Sequence, residues 1–155
     1  MNSDTSIELR PAVPEEASAI AAIVNAAYAK WVPVIGRKPL PMQADYRLAL
    51  LEHQFDVATE NGRVVGLIET MPREDHLWIE NVAVIPEAQG RGIGRLLLVH
   101  AERKSAAAGC RELRLLTNGA FAANVSLYLK LGYAVDREEE FMNGTTIYMS
   151  KKLAR

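Results

Sequence analysis

Val82-Ala83-Val84-Ile85-Pro86-Glu87-Ala88-Gln89-Gly90-Arg91-Gly92-Ile93-Gly94-Arg95-Leu96-Leu97-Leu98 is the stretch on which the fold turns. A β-branched run stops at Pro86, which has no N–H to give to a sheet ladder, and a loop with three glycines then opens into an apolar-periodic helix. Glycine lets the backbone turn tightly and come close to a ligand. Several N–H groups at a helix N-terminus, the positive end of the dipole, can then converge on phosphate oxygens. Strand, glycine loop and helix in this order predict a phosphate-bearing ligand.

Two common phosphate loops do not fit. A P-loop ends in Gly-Lys-Ser/Thr, whereas Ile93 and Arg95 follow Gly92 and Gly94, so ATP hydrolysis is not expected. A dinucleotide Gly-x-Gly-x-x-Gly begun at Gly90 or Gly92 would need its third glycine at Arg95 or Leu97. The stretch instead resembles the acetyl-CoA signature of the GNAT N-acetyltransferase superfamily, Gln/Arg-x-x-Gly-x-Gly/Ala, on Gln89, Gly92 and Gly94.

The chain has 155 residues, 49% hydrophobic and 24% charged, which predicts one domain over residues 1–155 with a sizeable core. A net charge of −1 and the lack of a basic half argue against a nucleic-acid partner. Cys110 is the only cysteine, and His53, His76 and His100 have no ligand spacing with it, so no metal is expected. Met1 to Ser6 lack a signal-peptide layout. The alanine-rich stretch near residue 20 is broken by Asn25 and reads as too short for a bilayer, so no membrane association and a cytoplasmic location are expected.

Periodicity supplies the elements on either side. A strand at Ile7–Arg10 is followed by a helix from Pro14, whose Ile20, Val24, Ala27 and Trp31 share a buried face. Val32 to Met42, with Pro33, Gly36, Pro39 and Pro41, predicts an irregular segment before a helix at Gln43–Glu52. The period then becomes two. A hairpin, Phe55–Glu60 and Arg63–Thr70, turns on Asn61-Gly62, and a third strand, Leu77–Val84, leads into the glycine loop. A helix at Arg91–Ala108, a strand at Glu112–Thr117 and a helix at Phe121–Leu131 follow. A last hairpin, Tyr133–Met142 and Thr145–Leu153, is predicted to turn on Asn143-Gly144. The order β-α-α-β-β-β-α-β-α-β-β is an α/β domain with a mixed sheet of about seven strands, not a doubly wound one.

This order resembles the GNAT fold over the whole chain. The resemblance implies strands that splay apart on either side of the glycine-loop helix, with pantetheine entering the gap. Asn124, Leu127, Tyr128 and Leu131 share one helical face and match the family's Asn-x-x-x-Tyr-x-x-x-Gly-Phe/Tyr pattern. By itself Tyr128 reads more readily as an amphipathic core residue whose hydroxyl reaches water. Beside the glycine loop, the resemblance makes Asn124 a cofactor contact and puts the Tyr128 hydroxyl near the thioester sulfur. It further implies that Val82, Ala83 and Val84 pair with pantetheine, that an N–H at or near Val82 polarises the thioester carbonyl, and that residues Gln89, Gly90, Arg91, Gly92, Ile93, Gly94 and Arg95 meet the pyrophosphate.

Acyl transfer to an amine needs a base, since an unperturbed amine titrates near pH 10, and it gains from a proton donor at the leaving sulfur. Tyr128 is the donor candidate. Glu80 is the first candidate base, as a carboxylate in an otherwise apolar strand; Glu69 is the second and His76 the third. The resemblance further implies that the first two helices and their connection, with the final hairpin, wall the acceptor side, which makes Tyr28 and Trp31, then Arg37 and Met42, acceptor-side candidates. Cys110, beyond a helix C-terminus, is a poor nucleophile, which leaves direct attack of the amine on acetyl-CoA as the expected route. A non-catalytic acyl-CoA-binding sensor of the same fold is the alternative. A homodimer is common among relatives, although no residue here marks an interface.

Overall fold

The computed structural model describes residues 7–154, so the reading of Met1–Ser6 lies outside the described residues. The elements are β1 (Glu8–Pro11), α1 (Ala17–Tyr28), α2 (Val32–Ile35), α3 (Tyr46–Glu52), β2 (Gln54–Glu60), β3 (Arg63–Pro72), β4 (Leu77–Val84), α4 (Ile93–Ala107), β5 (Glu112–Asn118), α5 (Ala122–Lys130), β6 (Ala134–Phe141) and β7 (Gly144–Lys152). The order is the expected one with a single addition. The segment expected to be irregular contains the one-turn α2, which admits Pro33 in its first turn and is stopped by Gly36 at φ 75°.

The seven strands form one sheet in the order β1-β2-β3-β4-β5-β7-β6. Every pairing is antiparallel except β4 with β5. Phe55 meets Tyr46 of α3 edge to face, while its neighbour Asp56 holds Lys104 of α4 at 2.7 Å. Successive strand residues point to opposite faces, so α1 and α3 cover one side of the sheet and α4 the other. Ile20 and Val24 of α1 and Leu97 and Leu98 of α4 are fully buried.

The sheet opens in the middle. β4 and β5 pair only from Leu77↔Leu113 to Ile79↔Leu115, although β4 continues to Val84 and β5 to Asn118. On the other side of β4, Glu69 opposes Asn81 and Thr70 opposes Ile79, which leaves Glu80 as the extra residue of a β-bulge. A bulge bends its strand and sharpens the twist, so beyond Glu80 β4 follows β3 and departs from β5.

Several boundaries differ from expectation by a residue or more, and three differences have a clear physical cause. The last hairpin turns on Met142-Asn143, both at positive φ, with Gly144 already paired to Phe141. Pairing of β7 with β5, and a bulge at Asp136 of β6, set that register and override the local Asn-Gly preference. Helix α4 begins at Ile93 rather than Arg91, because Gly92 is left-handed at φ 83°. The helical run Pro14–Ile35 has 22 residues and is long and apolar enough to cross a membrane by length and composition, which corrects the expectation that it is too short. Its 3-10 turns and α2 extend α1 beyond what composition suggested, and Ile20, Ile23, Val24 and Ala27 pack into the core beneath the sheet.

Candidate active site

The loop between β4 and α4 adopts the shape its glycines allow. Gly90 and Gly92 sit at φ 82° and 83°, where an L side chain is strained. The first intrahelical bond of α4 runs from Leu96 N to Gly92 O, so the N–H groups of Ile93, Gly94 and Arg95 face out of the helix end. Gln89 ties the loop down: its Nε2 donates to Val84 O at 2.9 Å and its Oε1 accepts from Lys30 at 2.9 Å.

This loop borders a cavity of about 300 Å³. Val82, Ala83, Val84, Gln89, Gly90, Gly92, Ile93, Gly94, Arg95 and Asn124 line it, as do Tyr28, Trp31 and Tyr128. Of the expected cofactor contacts only Arg91 is elsewhere. Its guanidinium makes a two-pronged ion pair with Glu60 at 3.0 and 2.5 Å, which turns it away from the loop.

A second cavity of about 470 Å³ lies across Tyr28, Val82, Asn124 and Tyr128, the four residues that line both. It occupies the gap opened by the bulge, with Asn81 and Val82 on one wall and Leu116, Thr117 and Asn118 on the other. The sequence predicts Glu80 as the buried carboxylate here; in the structure Glu80 is exposed and accepts from the Trp78 indole at 2.8 Å. Burial falls on Glu69, which is 4% exposed. Its Oε2 lies 2.6 Å from Nδ1 of half-buried His53. Burial pushes the Glu69 carboxyl above the usual range, and the His53 contact pulls against that shift. A period-two reading of β4 cannot foresee this exchange, since the bulge interrupts the parity linking Glu80 to Val82.

Asn81, absent from the expectations, organises the floor. Tyr28 Oη donates to Asn81 Oδ1 at 2.8 Å, Asn81 Nδ2 donates to Tyr46 Oη at 3.1 Å, and Tyr46 Oη donates to Pro41 O at 2.7 Å. The chain of bonds fastens α1, α3 and the linker to β4, and it satisfies a buried amide that would otherwise be costly. Tyr28 therefore reaches the cavity with its hydroxyl already engaged. Trp31 does not line this cavity; it stacks on Phe121 at 4.8 Å on the glycine-loop side.

Tyr128 is 8% exposed, and burial raises its phenol to about 12. The hydroxyl is therefore protonated through the neutral range. Its ring packs edge to face on Tyr133 at 5.8 Å. Asn124, one turn earlier on α5, lines both cavities with it. Arg37 and Phe141 also line the larger cavity, whereas His76, Met42 and Cys110 line neither. Cys110 closes the end of α4 through Ser105, whose Oγ donates to Cys110 O at 3.0 Å. His53 and Asn81 were legible only as a lone histidine and a polar residue inside an apolar strand.

A sequence model of the acetyltransferase (GNAT) family matches residues 20–133. The chain is 31% identical over 140 residues to a mycothiol acetyltransferase of Amycolatopsis mediterranei (strain U-32), covering 82% of this chain and 46% of that protein. It is 33% identical over 75 residues to the ribosomal protein bS18-alanine N-acetyltransferase of Escherichia coli (strain K12), covering 48% of this chain and 51% of that protein. The chain thus spans about half the length of the curated relatives it matches. Among solved structures, the paia N-acetyltransferase of Thermoplasma acidophilum in complex with coenzyme A matches with a TM-score of 0.83 at 20% identity, over 95% of this chain and 99% of that one. The ribosomal-protein-S18-alanine N-acetyltransferase of Escherichia coli matches with a TM-score of 0.76 at 20% identity, over 97% and 96%. Both share the seven-stranded mixed fold. With the glycine-loop signature, the strand order and the splayed centre in one chain, this protein belongs to the GNAT family of acetyltransferases.

Proposed function

We propose that the chain transfers an acetyl group from acetyl-CoA to a primary amine by direct attack, with no covalent enzyme intermediate, and that residues 1–155 act as one domain in the cytoplasm. The observation that carries this reading is the junction at Tyr28, Val82, Asn124 and Tyr128, where a glycine-loop cavity and an acid-lined cavity meet inside a splayed sheet. The donor set suits a CoA ester. The N–H groups of Ile93, Gly94 and Arg95 and the Arg95 side chain would hold pyrophosphate, while the β4 edge that has lost β5 offers backbone partners at Val82–Val84 to a pantetheine arm. Acetyl-CoA supplies the acyl group as a thioester.

The acceptor occupies the larger cavity and needs its ammonium proton removed. Glu69 takes it. A carboxylate whose pKa is lifted toward neutrality is a better base than exposed Glu80, which we place at the cavity mouth as a contact for an incoming cation. The amine then attacks the thioester carbonyl, whose oxygen gathers charge against a backbone N–H at or near Val82. Tyr128 donates its proton to the departing sulfur, and the proton that the nitrogen sheds as the intermediate collapses to the amide returns through solvent to the Tyr128 phenolate. The relatives are named for mycothiol and for an alanine of a ribosomal protein, so both small-molecule and protein amines fall within the acceptor class.

Thermal unfolding with acetyl-CoA, free CoA, ATP and NADH added separately tests the cofactor site. A ligand at a hundred times its Kd adds ~2.7 kcal/mol, or roughly 5–10 °C for a domain of this size. Acetyl-CoA and CoA are expected to raise the midpoint; a shift with ATP or NADH alone would overturn the assignment. Thiol release with amines then separates enzyme from sensor. Cys110→Ala is expected to retain turnover, and its loss in a folded variant would replace direct attack with a covalent route.

A further inference from the structure

Arg37 is a cation in the larger cavity without a counter-charge. Its Nε is buried and has no hydrogen-bond partner, and no ion pair reaches the guanidinium among the described residues. The guanidinium lies over the face of Phe141, 5.7 Å from the ring centroid. Arg37 is half-buried, and an Nε shut off from water without an acceptor is costly. The linker holds it in place: Gly36 turns at φ 75°, Gln43 donates to Lys38 O at 2.9 Å, and Tyr46 donates to Pro41 O.

Its position along the cavities adds to this. Arg37 and Asn118 also line a third cavity of about 470 Å³, which shares no residue with the glycine-loop cavity. Arg37 therefore stands at the end of the acceptor site away from the Val82–Tyr128 junction. Glu138 borders that outer cavity but is exposed on β6, and among the described residues it makes no ion pair with Arg37. The wall of the larger cavity includes apolar Leu40, Phe141 and Leu116.

Building on the acetyltransferase reading, we infer that the acceptor is an amine with an apolar body and a carboxylate group, and that Arg37 binds the carboxylate. A planar guanidinium fork matches a carboxylate in two-pronged geometry. Glu69 receives the ammonium end and Arg37 the anionic end, so the cavity selects both the presence of the two charges and their separation. Arg37 thereby determines specificity and takes no part in the chemistry.

The test is thiol release from acetyl-CoA with glycine, 4-aminobutyrate, 6-aminohexanoate, phenylalanine and 4-(aminomethyl)benzoate, each beside its primary amide and with 2-aminoethyl phosphate as a non-planar anion. In the natural protein at least one acid is expected to exceed its amide by about 10-fold or more in kcat/KM, the scale of a charge-assisted hydrogen bond. In Arg37→Gln that ratio falls to near one, and Arg37→Lys restores part of it. Amides equal to or better than acids throughout, a preference that survives Arg37→Gln, or 2-aminoethyl phosphate preferred over every acid would each overturn the inference while leaving the acetyltransferase reading intact. If no compound releases thiol although acetyl-CoA still raises the unfolding midpoint, calorimetry of the acids with CoA-loaded protein decides. Binding that Arg37→Gln abolishes supports the carboxylate site and moves the failure to the catalytic reading; no such binding overturns the inference.

Discussion

Glu69→Gln is expected to lower kcat/KM by roughly 10²- to 10⁴-fold while leaving the protein at least as stable at pH 8. Both effects come from one fact, a carboxyl buried beside His53 with its pKa raised by desolvation. The folded state holds that proton more tightly than the unfolded chain does. Stability contributed by this group therefore falls as pH rises from the ordinary glutamate value through the raised folded value, and the full cost is present above it. Glutamine cannot ionise and avoids the cost, while its amide oxygen keeps a hydrogen-bonding group near His53. Midpoints of natural protein and variant measured from pH 4 to 9 are expected to diverge in favour of the variant as pH rises, while the acidic limb of kcat/KM disappears with the activity. If turnover and the limb survive in the variant, Glu69 is not the base and Glu80 takes its place.

Tyr128→Phe is expected to lower kcat by roughly 10- to 1,000-fold with little change in the midpoint shift that acetyl-CoA produces. Because burial holds the phenol at about 12, the hydroxyl stays protonated at working pH, and no alkaline limb near neutrality should be traceable to it. The ring remains packed on Tyr133, so stability should change little. An unchanged kcat under conditions where chemistry limits turnover would remove Tyr128 from the reaction and leave it as a wall between the cavities. A rise in KM for acetyl-CoA with kcat intact would make it a binding residue instead.

How much of the site is written in local sequence depends on how far apart its parts lie along the chain. Gly90 and Gly92 announce themselves because only glycine meets a left-handed turn without strain, and Asn124 and Tyr128 because four residues make one helical turn. These features need no knowledge of the rest of the molecule. The succession of strands along the chain and the Asn61-Gly62 hairpin were legible for the same reason, since period-two patterning and a two-residue turn are local.

The identity of the buried carboxylate was not local. Glu69 and Glu80 sit on neighbouring strands in similar apolar surroundings, and the bulge that exposes Glu80 exists only once β3 and β4 are paired. His53 reaches Glu69 from the end of α3, sixteen positions away, and Asn81 joins Tyr28 and Tyr46 from two other elements. Arg91 and Arg95 look alike in sequence, yet a partner on β2 draws Arg91 off the loop.

By itself, then, the amino-acid order determined the element sequence, the glycine cradle and the helical face that carries Asn124 and Tyr128, because each rests on backbone preferences within one or two turns of chain. Only the tertiary structure decided which carboxylate is desolvated, which arginines are paired and where the sheet opens. Desolvation and charge pairing depend on distances between segments that no spacing along the chain specifies.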